Sequence, residues 1–125
     1  MITEGQKIKF ILELIRRTAK SEIIWEITNS PNNFPSMIGL SYKTMLLEGK
    51  TLKIFKKMAI YETIDAYEFD DYKSRYAKIR LELIDENNNT LYEFPDDYSL
   101  MTLYRIIQEK TSGIADVFES MLQKN

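Results

Sequence analysis

Carboxylates, lysines and tyrosines are the main groups available for chemistry in this chain of 125 residues, because it contains no histidine and no cysteine. The two absences exclude an imidazole base, a thiolate nucleophile and the zinc or iron–sulfur sites built on those ligands. Three adjacent acidic pairs remain as candidates for acid–base catalysis: Asp70–Asp71, Asp85–Glu86 and Asp96–Asp97. All three fall in predicted turns or loops, where carboxylates generally face water. We therefore predict no catalytic residue and no metal ligand.

Phosphate-binding loops are also missing from the sequence. The four glycines form neither Gly-x-Gly-x-x-Gly nor Gly-x-x-x-x-Gly-Lys-Ser/Thr, and the Gly-x-Ser-x-Gly elbow of many hydrolases does not occur. These observations argue against dinucleotide binding and nucleotide hydrolysis by the familiar routes. We predict no cofactor.

The most unusual composition lies between residues 61 and 76, which hold four tyrosines and five acidic side chains. Tyrosine supplies a large contact area at a small entropic cost, and clustered acids attract a basic partner. One interpretation is a recognition loop for a protein, and the other is a long hairpin loop whose tyrosines pack on their own strands. The predicted partner-binding residues are Tyr61, Tyr67, Glu68, Asp70, Asp71, Tyr72 and Tyr76.

A second candidate surface is a group of lysines on and around a predicted strand. A row of such cations binds the phosphates of nucleic acids, with an affinity that falls steeply as salt rises. However, the net charge is −2 and no RNA-binding aromatic signature accompanies the row. Lysines on a solvent-facing strand also protect a sheet against edge pairing. We favour that second role for Lys43, Lys50, Lys53, Lys56 and Lys57.

The order of elements follows from a change in apolar spacing along the chain. Residues 4–20 repeat apolar side chains at helical spacing behind a Thr3–Gln6 capping box. The period then changes to two, which predicts five strands over residues 23–27, 42–47, 51–60, 76–84 and 90–94. A proline-rich loop at 29–36 separates the first two strands.

The C-terminal third returns to helical spacing. Leu100, Leu103, Tyr104 and Ile107 repeat at i, i+3, i+4 and i+7, and Gly113 ends that helix. A short final helix follows, with a stripe of apolar residues that we assign to the core. The whole chain, residues 1–125, is predicted as a single α+β domain with an N-terminal helix, an antiparallel five-stranded meander sheet and two C-terminal helices packed on one sheet face.

Residues in four segments resemble those of small uncharacterised bacterial single-domain proteins. The segments are the two helices at 97–113 and 114–122, the opening helix running into Glu22-Ile-Ile-Trp25, and the Leu81–Asp85 turn together with Leu91–Phe94. The matching residues serve packing and turns, and the resemblance spans most of the chain. The resemblance implies a stand-alone bacterial or mobile-element domain. No established activity accompanies it, so no site residue is carried over.

The sequence carries neither a secretory signal nor a run of apolar residues that spans a bilayer, and we expect a cytoplasmic protein. The leading functional hypothesis is a non-enzymatic protein-binding module of inhibitor, immunity or regulatory type. One alternative is a small-molecule-binding or hydrolytic domain with Glu26, Arg80 or Tyr104 as polar groups of a pocket. The other is nucleic-acid binding through the lysines. A homodimer that covers a sheet edge is compatible with each hypothesis.

Overall fold

The computed structural model describes residues 1–28, 37–62 and 73–123, and within them it confirms the predicted α+β fold. The five strands form one antiparallel sheet in the order β1-β2-β3-β4-β5, which is a meander. The elements are α1 (Glu4–Ala19), β1 (Glu26–Thr28), β2 (Met37–Leu47), β3 (Lys50–Glu62), β4 (Lys73–Ile84), β5 (Thr90–Glu93), α2 (Tyr98–Ser112) and α3 (Ile114–Leu122).

Helix α1 begins at the predicted capping box. The Thr3 hydroxyl accepts a hydrogen bond from the Gln6 backbone N–H at 3.1 Å, and the Gln6 side chain accepts one from the Thr3 N–H at 2.8 Å. Two backbone donors that a helix N-terminus leaves unsatisfied are thereby paired. The helix then buries Ile11 and Leu14 in the core cluster that it shares with the sheet and α2.

Strands β3 and β4 form the centre of the sheet, and their alternation separates its two faces. Ile54 pairs with Leu81 and Leu52 with Leu83, and these side chains face the helices. The intervening residues belong to the opposite face, which we call the open face. The predicted alternation of β4 is therefore confirmed, because a strand with one buried face must repeat its apolar residues with a period of two.

The core lies between the helix-facing side of the sheet and helices α1 and α2. Trp25 anchors one end of it and is 5% exposed. Its indole N–H donates to the Thr18 hydroxyl of α1 at 3.0 Å. Tyr104 of α2 is 1% exposed and packs edge-on against the Tyr42 ring, with the ring centres 5.6 Å apart.

Several boundaries differ from those predicted. Strand β1 begins only at Glu26, whereas β2 starts at Met37 and includes a bulge between Ile38 and Tyr42. Gly39 adopts φ +72° in this bulge, and the Tyr104 hydroxyl donates to the Leu40 carbonyl at 2.6 Å. A bulge interrupts the ladder and leaves backbone groups that need other partners. The predicted proline loop at 29–36 lies outside the described residues.

Helix α3 departs furthest from its prediction, because none of its residues is buried. The spacing of its apolar stripe predicts a place in the core, whereas the structure leaves Val117, Phe118, Met121 and Leu122 exposed. Among the described residues, no helix combines the length and the hydropathy that crossing a membrane requires.

Candidate functional site

The β3–β4 hairpin extends beyond the other strands of the described sheet. The last described pair between β2 and β3 toward this end is Met37 with Lys57, and the corresponding last pair between β4 and β5 is Glu82 with Glu93. Strands β3 and β4 continue for five further pairs, from Met58 with Ala77 to Glu62 with Lys73. At about 3.3 Å per residue, these five pairs add roughly 17 Å of ladder with no described strand on either side. We call residues 58–62 and 73–77 the arm.

The arm holds both ends of the segment that sequence composition singled out. Tyr61 pairs with Ser74 and Tyr76 pairs with Ala59, so both belong to the ladder rather than to a loop. Residues 61–62 and 73–76 of the predicted loop are therefore strand residues, and residues 63–72 lie outside the described part of the chain. The other predicted partner-binding residues, which are Tyr67, Glu68, Asp70, Asp71 and Tyr72, lie outside the described residues, and their role stays a prediction.

A concavity of about 440 Å³ lies at the base of the arm, between β4 and the start of α2. Lys78 of β4 forms an ion pair with Asp96 across it, at an N–O distance of 2.5 Å. Asp97 caps α2 by accepting hydrogen bonds from the Ser99 hydroxyl and from the Ser99 backbone N–H. These bonds hold the pKa of Asp97 below its ordinary value, so the cap stays ionised.

Tyr98 stands beside this concavity with its side chain 97% exposed. Its position follows from the cap: it is the first residue of α2, and the buried stripe of that helix begins at Leu100. Tyr98 is not among the partner-binding residues predicted from the sequence. The available signal was that Tyr98 falls outside the spacing of Leu100, Leu103 and Tyr104, which leaves a large aromatic side chain with no place in the core.

Charged residues of both signs share the open face of the sheet. One row of charged residues crosses all five strands, and each member pairs in register with the next. The row consists of Glu26, Lys43, Lys53, Glu82 and Glu93. Arg80, two residues from Glu82 along β4, forms an ion pair with Glu93. Burial lowers the pKa of Lys53, and the carboxylate of Glu82 opposes that shift. The row therefore offers a mixed surface rather than a positive one.

The five predicted lysines do not form one stripe. Lys43 and Lys53 pair with each other on the open face, and Lys57 belongs to the same face of β3. Lys56 belongs to the helix-facing side, where its ammonium lies 5.4 Å from the centre of the Tyr104 ring. Lys50 begins β3 at the turn. A polyanion that follows the row of Lys43 and Lys53 would meet Glu26 at one end and Glu82 with Glu93 at the other.

The three polar residues considered for a small-molecule pocket do not converge. Glu26 lies at the edge strand, and Arg80 lies on the open face. Tyr104 is buried in the core, where burial raises the pKa of its hydroxyl. Within the described parts of the chain, no group of three or more acidic side chains is arranged to hold a metal ion.

Comparison of the chain with protein-family models, curated proteins and solved structures gives no match. The candidate site therefore depends on the geometry of this chain alone. It consists of the arm, the Lys78–Asp96 ion pair and the exposed ring of Tyr98.

Proposed function

We propose that this protein is a non-enzymatic binding module that recognises a protein partner with the arm and the segment between its strands. The observation that carries this proposal is the five-pair extension of the β3–β4 ladder beyond the described parts of the neighbouring strands. A two-stranded hairpin is only marginally stable by itself, so an arm of this length adds little to the core. Contact with a partner would stabilise the arm, and the length of the arm would provide the contact surface.

The composition of the segment indicates the chemistry of the partner. Residues 62–71 carry five acidic side chains and no basic one. Such a segment raises the rate of encounter with a basic surface and disfavours acidic competitors. A partner with an exposed basic surface, such as an enzyme that acts on a polyanion, fits this charge. Inhibition, immunity and regulation are the roles in which a small module without a catalytic set covers such a surface.

The base of the arm supplies apolar contact next to this charge. Tyr98 presents nearly its whole side chain, and Met101 and Ala77 line the adjoining concavity. Tyrosine is enriched among interface residues that dominate affinity, because a rigid ring buries a large area at a small entropic cost. We expect the acidic segment to steer the partner and Tyr98 to contribute most to its retention.

Affinity capture from host lysate with matched charge variants tests the proposal. The test variant combines Glu68→Lys, Asp70→Lys and Asp71→Lys. The control reverses three acids elsewhere, Glu48, Glu86 and Glu109, and therefore changes the net charge equally. We expect the wild type and the control to recover the same basic protein, measured by quantitative mass spectrometry, and the test variant to lose it. Equal recovery by all three chains would contradict the proposal.

A single substitution tests the base of the arm separately. Tyr98→Ala removes an exposed ring, so the thermal midpoint should change little. Its affinity for the captured partner should fall about tenfold, which corresponds to about 1.4 kcal/mol. Leu47→Ala is the control, because Leu47 is 70% exposed and is the last residue of β2, at the end of the sheet far from the arm. An unchanged dissociation constant for Tyr98→Ala would remove this residue from the interface.

A further inference from the structure

The edge of β4 that faces β5 has no described strand beside it along the arm. The last register pair between β4 and β5 toward the arm is Glu82 with Glu93. One position further, the Phe94 backbone N–H donates to the Leu81 carbonyl at 2.9 Å. Proline follows at position 95 and cannot donate to a ladder. The chain then leaves β4 and begins α2 three residues later. We call the β5-facing edge of residues 73–79 the free edge.

The bond between Phe94 and Leu81 identifies the backbone groups that β4 directs toward the free edge. The Leu81 carbonyl faces β5, and the backbone groups of successive strand residues alternate between the two neighbouring strands. The N–H and C=O groups of every second residue beyond Leu81 therefore point outward, which are those of Ile79, Ala77, Arg75 and Lys73. In the described ranges of the chain, no backbone hydrogen bond joins these groups to a strand on that side.

The concavity of about 440 Å³ lies directly against the free edge. Ala77 and Ile79 line it from β4, and Tyr98 and Met101 line it from α2. The charged groups of its lining already have partners, because Lys78 pairs with Asp96 and Asp97 caps α2. The concavity therefore places apolar wall surface beside a row of outward-facing backbone donors and acceptors.

We propose that the protein partner adds an extended segment to the free edge of β4 and seats one apolar side chain of that segment in the concavity. This inference rests on the proposed function and names the form in which the partner is recognised. Strand addition obtains its affinity from main-chain hydrogen bonds and its specificity from pockets for alternate side chains. A helix has no free backbone groups along its length, so donors and acceptors repeated at every second residue select an extended segment.

The charge of β4 disfavours a second copy of this chain as the added strand. Residues 73–80 contain four basic residues and no acidic one. Like charges on adjacent strands destabilise their pairing, and basic residues on an edge strand protect it against association with its own kind. The added segment therefore comes from a chain of different sequence, without basic residues opposite this stretch.

Amide hydrogen exchange of the free chain, followed by NMR, tests whether the edge is open. The Lys78 N–H faces β3, where Lys78 pairs with Lys57, whereas the Ala77 N–H faces the free edge. We expect the Ala77 amide to exchange at least tenfold faster than the Lys78 amide. Equal exchange of the two amides would overturn the proposal, because the edge would then not be selectively open.

A phage-displayed library of linear peptides probes strand addition without the partner. We expect the wild type to select peptides that shift the NMR signals of the Ala77 and Ile79 amides. Ala77→Pro removes one outward donor and keeps the ladder with β3, so its affinity for a selected peptide should fall at least tenfold. Ala77→Ser keeps the N–H and should bind within about threefold of the wild type. Equal affinity of the two variants, or a selection without such peptides, would overturn the proposal. If circular dichroism shows Ala77→Pro to be unfolded, Arg75→Pro with the control Arg75→Gln repeats the comparison.

Binding of the captured partner separates this inference from the proposed function. The triple charge reversal at 68, 70 and 71 tests whether this end of the molecule binds a partner, and Ala77→Pro tests how it does so. Loss of the partner in both variants would support strand addition. Loss in the charge variant alone would overturn strand addition and leave the proposed function in place. Equal recovery by the wild type and the charge variant would contradict the proposed function, and the selected peptides would still show whether the free edge accepts a strand.

Discussion

The hydrogen bond between Trp25 and Thr18 joins the start of the sheet to α1, and replacing Thr18 by valine tests its contribution to stability. The donor and acceptor are 3.0 Å apart, and the two residues are 5% and 1% exposed. Valine keeps the shape of threonine and removes the acceptor. The indole N–H then stays buried without a partner.

The expected loss follows from this burial. A buried donor left without its partner costs about 1–3 kcal/mol, because the folded state loses the bond while the unfolded state still offers water. A loss of about 2 kcal/mol is large beside a total stability of about 5–15 kcal/mol. With a urea dependence of about 1–3 kcal/mol per molar, the unfolding midpoint should fall by roughly 1 M.

Trp25 is the one tryptophan in the chain, so its fluorescence reports unfolding directly. Thr18→Ser is the control, because it keeps the acceptor and removes one methyl group, at a cost of about 1 kcal/mol. A double-mutant cycle with Trp25→Phe, followed by circular dichroism, isolates the bond. Phenylalanine has no N–H, so Thr18→Val should cost little in that background. An equal loss in both backgrounds would refute the reasoning.

Three further changes test local features of the fold. Thr3→Ala removes the cap of α1 and should lower the free energy of unfolding by about 1 kcal/mol; unchanged urea unfolding would contradict the capping box. Glu13 accepts hydrogen bonds from two arginines of α1, which lower its pKa from 4.5 to about 2. Its stabilisation should therefore be complete above pH 4.5 and disappear toward pH 2, so the midpoints of wild type and Glu13→Gln should converge over that range; a constant difference would contradict this assignment. Gly39→Ala should destabilise by about 1–2 kcal/mol, because φ is +72° there, whereas Gly5→Ala inside α1 should stabilise; equal effects would argue against the bulge.

Local signals predicted the parts of the fold that depend on neighbouring residues. The capping box of Thr3 and the C-terminal Gly113 involve contacts within a few positions, so the sequence contains the whole motif. The alternation of Ile79 and Leu81 with Arg80 and Glu82 appears because β4 buries one face and leaves the other more accessible. Such patterns can be recognised without knowing how distant segments of the chain pair.

Features that depend on distant pairing were not predictable in the same way. The ladder from Met58 to Glu62 depends on backbone register with residues 73–77. The acidic residues between 62 and 71 interrupt the alternation of apolar and polar residues by which a strand is predicted from sequence. The lysines illustrate a similar limit, since Lys56 shares its face with Ile54 and so separates from Lys53. In α3 the spacing shows which side is apolar, but it does not show what covers that side.

The candidate site was predicted in part. The composition of residues 61–76 drew attention to the correct hairpin, but the length of the arm and the position of Tyr98 depend on how α2 begins beside β4. A helix cap fixes the direction of the first turn, and only the tertiary arrangement places the exposed ring of Tyr98 near Ala77 and Lys78.

Hydrogen–deuterium exchange on the complex with the captured partner tests the central claim most directly. Our account predicts slower amide exchange on binding in residues 58–77 and in the first turn of α2, with little change across the row of charges that includes Lys43 and Lys53. Unchanged exchange in residues 58–77, together with protection of another surface, would contradict the assignment of the arm as the binding site.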